Sequence, residues 1–302
     1  MPRARRPEGT ITRGKTAPNR LRRVDRWIVR VHGPRLRRQG RPLVVDLGYG
    51  ASPITTVELF DRLRAVHPRV EVVGIEIDPD RVAAARPYER EGLSFRLGGF
   101  ELPVGRPPAL IRAFNVLRQY DEDEAWRAWD RLCGGLAPGG VLVEGTCDEI
   151  GRRAAWETLS RTGVPARDGP EATRRFGPDE RRTVPRPRAG EPAGVPRMIT
   201  FAAHLATLSR PSELTERLPK ALIHRNVPGE PVHTLLTAFD RAWAGAAPQS
   251  VFGPRQRWIA AVELLSREFP VHTSPPLGGR VRWRLGEVTV PWSAVAPRPD
   301  GS

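Results

Sequence analysis

The sequence predicts a doubly wound α/β fold on a mostly parallel sheet, and three observations carry that prediction. From Leu43 onward, short apolar runs alternate with segments of helical periodicity, the pattern of strands covered on both faces by crossover helices. The first run, Leu43-Val44-Val45-Asp46-Leu47, empties into Gly48-Tyr49-Gly50 and then at once into a helix start. The second, Val70 to Ile77, ends at the acids Glu76 and Asp78. A chain of 302 residues suits one large domain or a domain with substantial additions.

The elements follow in order. Residues 1–18 are rich in Pro, Arg, Gly and Thr and are expected to form a disordered basic arm. Asn19 to Arg38 carries Leu21, Val24, Trp27, Ile28 and Val31 near helical spacing, with arginines on the other side, and Gly33-Pro34 is expected to break or kink it. After the first strand, Pro53 to Val66 reads as a helix, with Ser52 as its N-cap and Pro53 at the first helical position. A helix over Asp80 to Tyr88, strands over Leu93 to Leu97 and Ala109 to Phe114, and a helix over Asp121 to Leu136 come next. That last helix opens on acids, which suit the positive end of its dipole. Pro138-Gly139-Gly140 turns the chain into a fifth strand, Val141 to Gly145.

Gly163 to Pro196 holds seven prolines and five glycines and reads as a loop or linker, either a lid or a disordered insertion. Met198 to Ala202 is a further strand. Helical patterns cover Ser212 to Ile223, Val232 to Ala244 and Arg255 to Arg267, and Arg280 to Trp292 suggests a hairpin or closing strand pair. The chain thus divides into the arm (1–18), a cofactor-binding half (19–162), the Pro/Gly/Arg-rich segment (163–196) and a C-terminal half completing the sheet and the substrate side (197–302).

The net charge of +15 is unevenly placed. Residues 1–41 hold 14 basic side chains against Glu8 and Asp25, whereas the remainder carries 35 against 32. A basic arm attracts phosphates without sequence-specific contacts, so RNA is a possible partner through it, and a solvated tail is the plain alternative. No apolar stretch is long enough to span a bilayer or to form a signal-peptide core, and Cys133 and Cys147 cannot make a disulfide framework, which together fit a reducing cytoplasm. No His, Asp, Glu cluster has metal-site spacing, so no metal is expected.

Glycines at 48 and 50 allow a tight turn and let a ligand approach main chain, and the free amides of the following helix start favour an anionic group. An acid ending the next strand can take both hydroxyls of a ribose, so Gly48, Gly50 and Glu76 read as a nucleoside-containing cofactor site. Pro53 at the sixth position argues against a nicotinamide fingerprint.

The run Asp46-x-Gly48-x-Gly50-x-Ser52 resembles motif I of the class I S-adenosylmethionine-dependent methyltransferases, with Ser52 in place of the third glycine. Val73-Gly74-Ile75-Glu76 resembles their second motif, Ala113-Phe114-Asn115-Val116-Leu117 their segment after strand four, and Leu136-Ala137-Pro138-Gly139-Gly140 their turn into strand five. The resemblance covers about residues 20 to 150. It implies a seven-stranded, mostly parallel sheet with an N-terminal basic helix and a C-terminal helical or hairpin elaboration. It also implies S-adenosyl-L-methionine as cofactor, held by Asp46, Gly48, Tyr49, Gly50, Ser52, Glu76, Ile77, Phe100 and Asn115. Glu76 would take the ribose, with Asp78 as the alternative. Asp46 would hold loop amides or the cofactor amine, or only brace the turn. Phe100 stands where the family has an Asp for adenine.

The acceptor side is less determined. No Asn/Asp-Pro-Pro-aromatic motif follows strand four, which disfavours base amines, and a small molecule is the favoured acceptor, with RNA methylation or RNA binding on the same fold as the alternative. Candidate bases or positioning groups are His224, Asn115 and Tyr120; Arg118, Gln119, Glu144, Thr146, Asp148 and Glu149 belong to the same strand ends. His224 and Arg225 could equally cap a helix. Cys147 reads as a packed residue.

Overall fold

The computed structural model describes residues 7–162 and 193–298. A basic helix α1 (Arg22–Leu36) precedes β1 (Leu43–Leu47), α2 (Ile54–Arg64), β2 (Glu71–Glu76), α3 (Pro79–Ala85), β3 (Leu93–Leu97), β4 (Leu110–Phe114), α4 (Glu122–Gly135) and β5 (Val141–Cys147). Then come β6 (Arg153–Arg161), β7 (Gly194–Ala203), α5 (Lys220–Ile223), α6 (Pro231–Gly245), α7 (Pro254–Leu265), α8 (Arg280–Trp283) and β8 (Glu287–Pro291).

The fold is α/β and doubly wound. One sheet runs β3-β2-β1-β4-β5-β6-β7-β8, and the pairings from β3 through β5 are all parallel. The chain therefore reverses its direction of travel across the sheet between β1 and β4. Ligands in such sheets bind at that switch point, beyond the carboxyl ends of the strands. Register places Leu47 beside Ile75 on one side and Ala113 on the other, so the exits of β1, β2 and β4 meet at one edge.

Eight strands stand where seven were expected, and the last three pair antiparallel. The extra strand is β6, which the sequence conceals because Glu157 and Thr158 interrupt its apolar pattern. No crossover helix follows β5. Asp148 instead accepts hydrogen bonds from the amides of Ile150, Arg152 and Arg153 (3.2, 2.8 and 3.0 Å), and Gly151 takes φ +71°, so the chain folds straight back.

Apolar cores fill both faces. Trp27, Ile28, Leu59, Leu63 and Trp156 pack α1 and α2 on one side; Trp129, Phe201, Phe239 and Trp258 pack α4, α6 and α7 on the other. A capping box of Asp121 and Glu124 starts α4.

Several expectations need correction. Helix α1 continues through Gly33-Pro34 to Leu36, because Pro34 falls in its last turn and buried Gly33 packs on Val66. Pro219 splits the 212–223 segment into a 3₁₀ stretch, Pro211–Arg217, and the single turn α5. The proposed hairpin is half helical: α8 occupies Arg280–Trp283, Gly286 at φ +77° ends the turn, and β8 pairs with β7. Gly194, Val195 and Pro196 belong to β7, with Ala193 just before it, while residues 163–192 of the Pro/Gly/Arg-rich segment, with the question of lid or disorder, lie outside the described residues. Residues 7–18 of the arm expected to be disordered lie on the body, because backbone hydrogen bonds such as Phe100 N–H to the Glu8 carbonyl and Ala51 N–H to the Gly14 carbonyl, both 2.9 Å, order them. Among the described residues no helix is long and apolar enough to cross a membrane.

Candidate active site

The site is built at the switch point. Gly48 leaves β1 at φ +69° and Gly50 follows at φ +86°; a Cβ on Gly48 would stand 2.7 Å from a methyl of Val116, so only glycine fits there. The Gly48 amide donates to the Ile75 carbonyl at 2.8 Å and ties the turn to β2.

Glu76 is buried at the end of β2, with 1% exposure. One of its oxygens accepts the Gly50 N–H at 2.9 Å and the other the Ile77 N–H at 3.0 Å, with the Arg81 guanidinium at 3.6 Å. The turn and the acid are thus one hydrogen-bonded unit. Asp78 is spent elsewhere: its side chain caps α3 by accepting from the amides of Asp80 and Arg81.

Asp46 lies beneath the turn. Both its oxygens meet Arg112, at 2.8 and 2.6 Å, and the Thr56 hydroxyl donates to it at 2.6 Å. Arg112 also pairs with Asp25 of α1 and donates to the Thr55 carbonyl at 3.0 Å, while Arg62 holds Asp25 from the other side at 2.7 Å. These bonds tie the Asp46 carboxylate to β4 and α2 and, through Arg112, to α1.

Tyr49 turns its ring into the core, edge-on to Phe95 at 5.3 Å, and its hydroxyl donates to the Arg81 carbonyl at 3.4 Å. Burial, with Glu76 and Asp46 nearby, raises its pKa. Only its main chain belongs to the turn. Ser52 is not the N-cap expected of it: α2 begins at Ile54 with Pro53 in the cap position and no side-chain cap, and the Ser52 hydroxyl accepts only a long 3.4 Å bond from the Ile54 N–H.

Asn115 takes φ +60° directly after β4, an uncommon conformation for a residue with a side chain. Its carbonyl oxygen accepts the Cys147 N–H at 3.0 Å and its amide donates to the Cys147 sulfur at 3.3 Å, clamping the exits of β4 and β5. Burial raises the Cys147 thiol's pKa, in keeping with a packed residue.

Above this floor sits a cavity of about 20 Å³. Gly48, Glu76, Ile77, Phe100, Val116 and Tyr120 line it from the body. The rings of Phe100 and Tyr120 meet at 5.5 Å. Glu8, Gly9, Thr10 and Thr12 close it from the N-terminal segment, a wall that a composition-based reading misses. The pair of glycines at 9 and 14, both at positive φ, is the sequence signal that this stretch has a defined path.

His224 is not brought to the cavity. It ends α5 in an exposed position, with its ring nitrogen 3.1 Å from the Lys220 amine, while Arg225 reaches Glu122 at 3.0 Å. Arg118 and Gln119 are engaged too, donating to the carbonyls of Glu216 and Thr10 at 2.9 and 2.7 Å. Thr146 bonds the Arg217 carbonyl, and Glu144 is buried in mid-strand. Among the described residues no group of three or more His, Cys, Asp or Glu could hold a metal ion.

No protein-family model matches the sequence, and no curated protein matches it. Among solved structures the chain is similar to a magnesium protoporphyrin IX methyltransferase from Synechocystis PCC 6803 with bound S-adenosylmethionine, at 18% identity and a TM-score of 0.33, over 42% of this chain and 57% of that one. A cyclopropane synthase from Mycobacterium tuberculosis matches at 20% identity and TM-score 0.32, over 41% of this chain and 42% of that one. Human N-acetylserotonin methyltransferase with its cofactor matches at 21% identity and TM-score 0.29, over 44% and 39%. The chain thus spans less than two thirds of each of these proteins.

Proposed function

We propose that the protein is an S-adenosyl-L-methionine-dependent methyltransferase acting on a small molecule. One observation carries the reading: at the switch point of a 3-2-1-4-5 sheet, the glycine turn after β1 and the acid ending β2 are joined through the Gly50 N–H and the Glu76 carboxylate at 2.9 Å. Together they present main chain without a Cβ and an acid suited to a ribose diol, the two features an adenosyl group needs.

In this reading Glu76 takes the ribose hydroxyls, Gly48 and Gly50 admit the cofactor against main chain, and Ile77 and Phe100 pack on adenine. Asp46 acts through the turn, holding it in place by way of Arg112 and Thr56. When bound, the cofactor supplies an electrophilic methyl group on a sulfonium. The protein's part in an in-line transfer is to align the acceptor and exclude water, and no metal is required. Of the three candidate bases or positioning groups, Tyr120 lines the cavity, Asn115 is committed to Cys147, and His224 stands outside it. Tyr120 is therefore the residue assigned to orient or deprotonate the acceptor.

The test is calorimetric titration with S-adenosylmethionine, S-adenosylhomocysteine and NAD. Glu76→Ala is expected to weaken the adenosyl compounds by about ten- to a hundredfold, the loss of roughly 1–3 kcal/mol of hydrogen bonding. Glu76→Gln separates a lost ribose contact from a loosened turn, since the amide oxygen still accepts from Gly50. Preference for NAD, or unchanged adenosyl affinity in both variants, overturns the assignment.

A second reading, RNA as acceptor or partner, is favoured by the outer face of α1. Arg22, Arg26 and Arg30 recur every fourth residue, stand exposed, and among the described residues have no carboxylate within ion-pair distance. If they neutralise phosphates, replacing all three by alanine should lower the slope of log affinity against log salt by about 2–3 for a labelled RNA strand. An unchanged slope, or no binding at low salt, removes RNA from consideration.

A further inference from the structure

We infer that Glu8–Gly14 is an intrasteric plug: it occupies the cofactor cleft and must leave before the cofactor enters. The inference rests on the cofactor reading above and adds to it a segment outside the resemblance.

Space is the first ground. The cavity left beneath the segment is about 20 Å³, whereas sites for ligands of drug size run to about 300 Å³ or more. An adenosyl group and these residues cannot share the cleft.

The second ground is what the segment holds. The Glu8 carbonyl accepts the Phe100 N–H at 2.9 Å, and the Gly14 carbonyl accepts the Ala51 N–H at 2.9 Å. The Thr10 N–H donates to the Tyr120 hydroxyl at 2.6 Å, and Arg81 donates to the Thr12 carbonyl at 2.9 Å. So the segment takes a main-chain donor beside Phe100, a main-chain donor of the glycine turn, and the hydroxyl over the cavity. These are the polar groups a ligand there would use.

Its fit is specific. A Cβ on Gly99 would stand 1.9 Å from the Glu8 carbonyl oxygen, and one on Gly50 would stand 2.9 Å from that of Gly14. Glycines on the body receive the segment's main chain, and Gly9 and Gly14 in the segment bend it to reach them at φ +136° and +73°. Composition reads this stretch as disordered because it has no core of its own; backbone hydrogen bonds to the cleft order it instead.

Its hold is also weak enough to release. Between residues 7 and 18 only Gly14 is buried, and the apolar Ile11 is 53% exposed. Exposed polar contacts without an apolar anchor mark a segment that opens locally at low cost. Cofactor affinity is then the intrinsic affinity reduced by the open fraction.

The experiment compares the full chain, a chain lacking residues 2–14, and the full-length Gly9→Val variant, whose side chain the φ of +136° disfavours. S-adenosylhomocysteine is titrated into each, and trypsin cleavage after Arg13 is timed with and without it. Both altered chains are expected to bind at least tenfold more tightly, and ligand should speed cleavage at Arg13 in the full chain by pushing the plug out. Equal or weaker binding by the altered chains, or protection of Arg13 by ligand, overturns the plug and makes the segment a wall of the bound site. If the shortened chain does not fold, Gly9→Val and the cleavage assay decide alone. Failure of every chain to bind either adenosyl compound overturns the cofactor reading, and the plug with it.

Discussion

Arg112→Leu is expected to cost about 3–5 kcal/mol of stability, a large share of the roughly 5–15 kcal/mol reserve of an ordinary domain. Arg112 is fully buried in β4 and is the common cation of Asp46 in β1 and Asp25 in α1. Burial pushes the Asp25 carboxyl up to about 6 even against the opposing pull of Arg112 and Arg62, and the two carboxylates raise the pKa of Arg112 in turn. Removing the guanidinium strands two acids inside the protein. Arg62 would still hold one oxygen of Asp25 and Thr56 one of Asp46, which is too little to solvate both. Arg112→Lys keeps the charge but not the planar fork that serves both partners at once, so it should recover only part of the loss. An unfolding free energy from urea titration that falls by under about 1 kcal/mol in Arg112→Leu would show that the network does not hold α1 to the sheet.

Glu157→Gln is expected to stabilise the protein above neutral pH and to make little difference near pH 4. Glu157 of β6 stands directly across from Glu144 of β5, both are buried, and the Trp129 indole donates to Glu144 at 3.3 Å. Three of the four carboxyl oxygens have no other hydrogen-bond partner. A proton shared between the two carboxyls pairs one oxygen of each, and burial followed by the neighbouring carboxylate pushes the Glu157 pKa well above its ordinary value. Burial raises that of Glu144 as well. A carboxyl whose pKa is raised by folding contributes stability that is fully present below its unfolded value, near 4.5, and that is lost as pH rises through the folded one. Asp25, raised from 3.8 to about 6, adds to the loss over the lower part of that range. Glutamine keeps a donor for Glu144 and cannot ionise, so it removes the Glu157 share of the pH dependence. Unfolding free energies of the two proteins from urea titrations between about pH 4 and pH 9 check this: the curves should separate by roughly 1–3 kcal/mol at the alkaline end, the scale of one uncompensated buried polar group. Parallel curves would mean that the two carboxyls do not share a proton.

Much of the scaffold was legible in the chain because its signals are local. Leu43–Leu47 and Leu93–Leu97 are apolar runs bounded by turn residues, and both are strands over those residues. Asp121 and Glu124 stand three apart ahead of a periodic stretch, and they form the cap of α4. Helices α6 and α7 follow the spacing of Leu235, Leu236, Phe239 and Trp243 and of Trp258, Val262 and Leu265. Strand β6 escaped because Glu157 and Thr158 break its pattern, and α8 because a single turn with alternating Val281, Trp283 and Leu285 imitates a strand.

By itself, then, the sequence determined the order of strands and helices from β1 through β5, the glycine turn, and the acid at the end of the second strand. Each depends on residues within a few positions of one another, where propensity, turn chemistry and periodicity act. Only the tertiary structure decided what those groups touch. It joined Asp46 to an arginine 66 residues away and to a helix lying before the first strand, turned Tyr49 inward, drew Asn115 to Cys147, and left His224 outside the cavity. It also laid residues 8–14 across the cleft, where Thr10 meets Tyr120 at a separation of 110 positions. Such contacts have no period and no local composition. They arise because buried donors and acceptors must find partners wherever the fold brings chain past them.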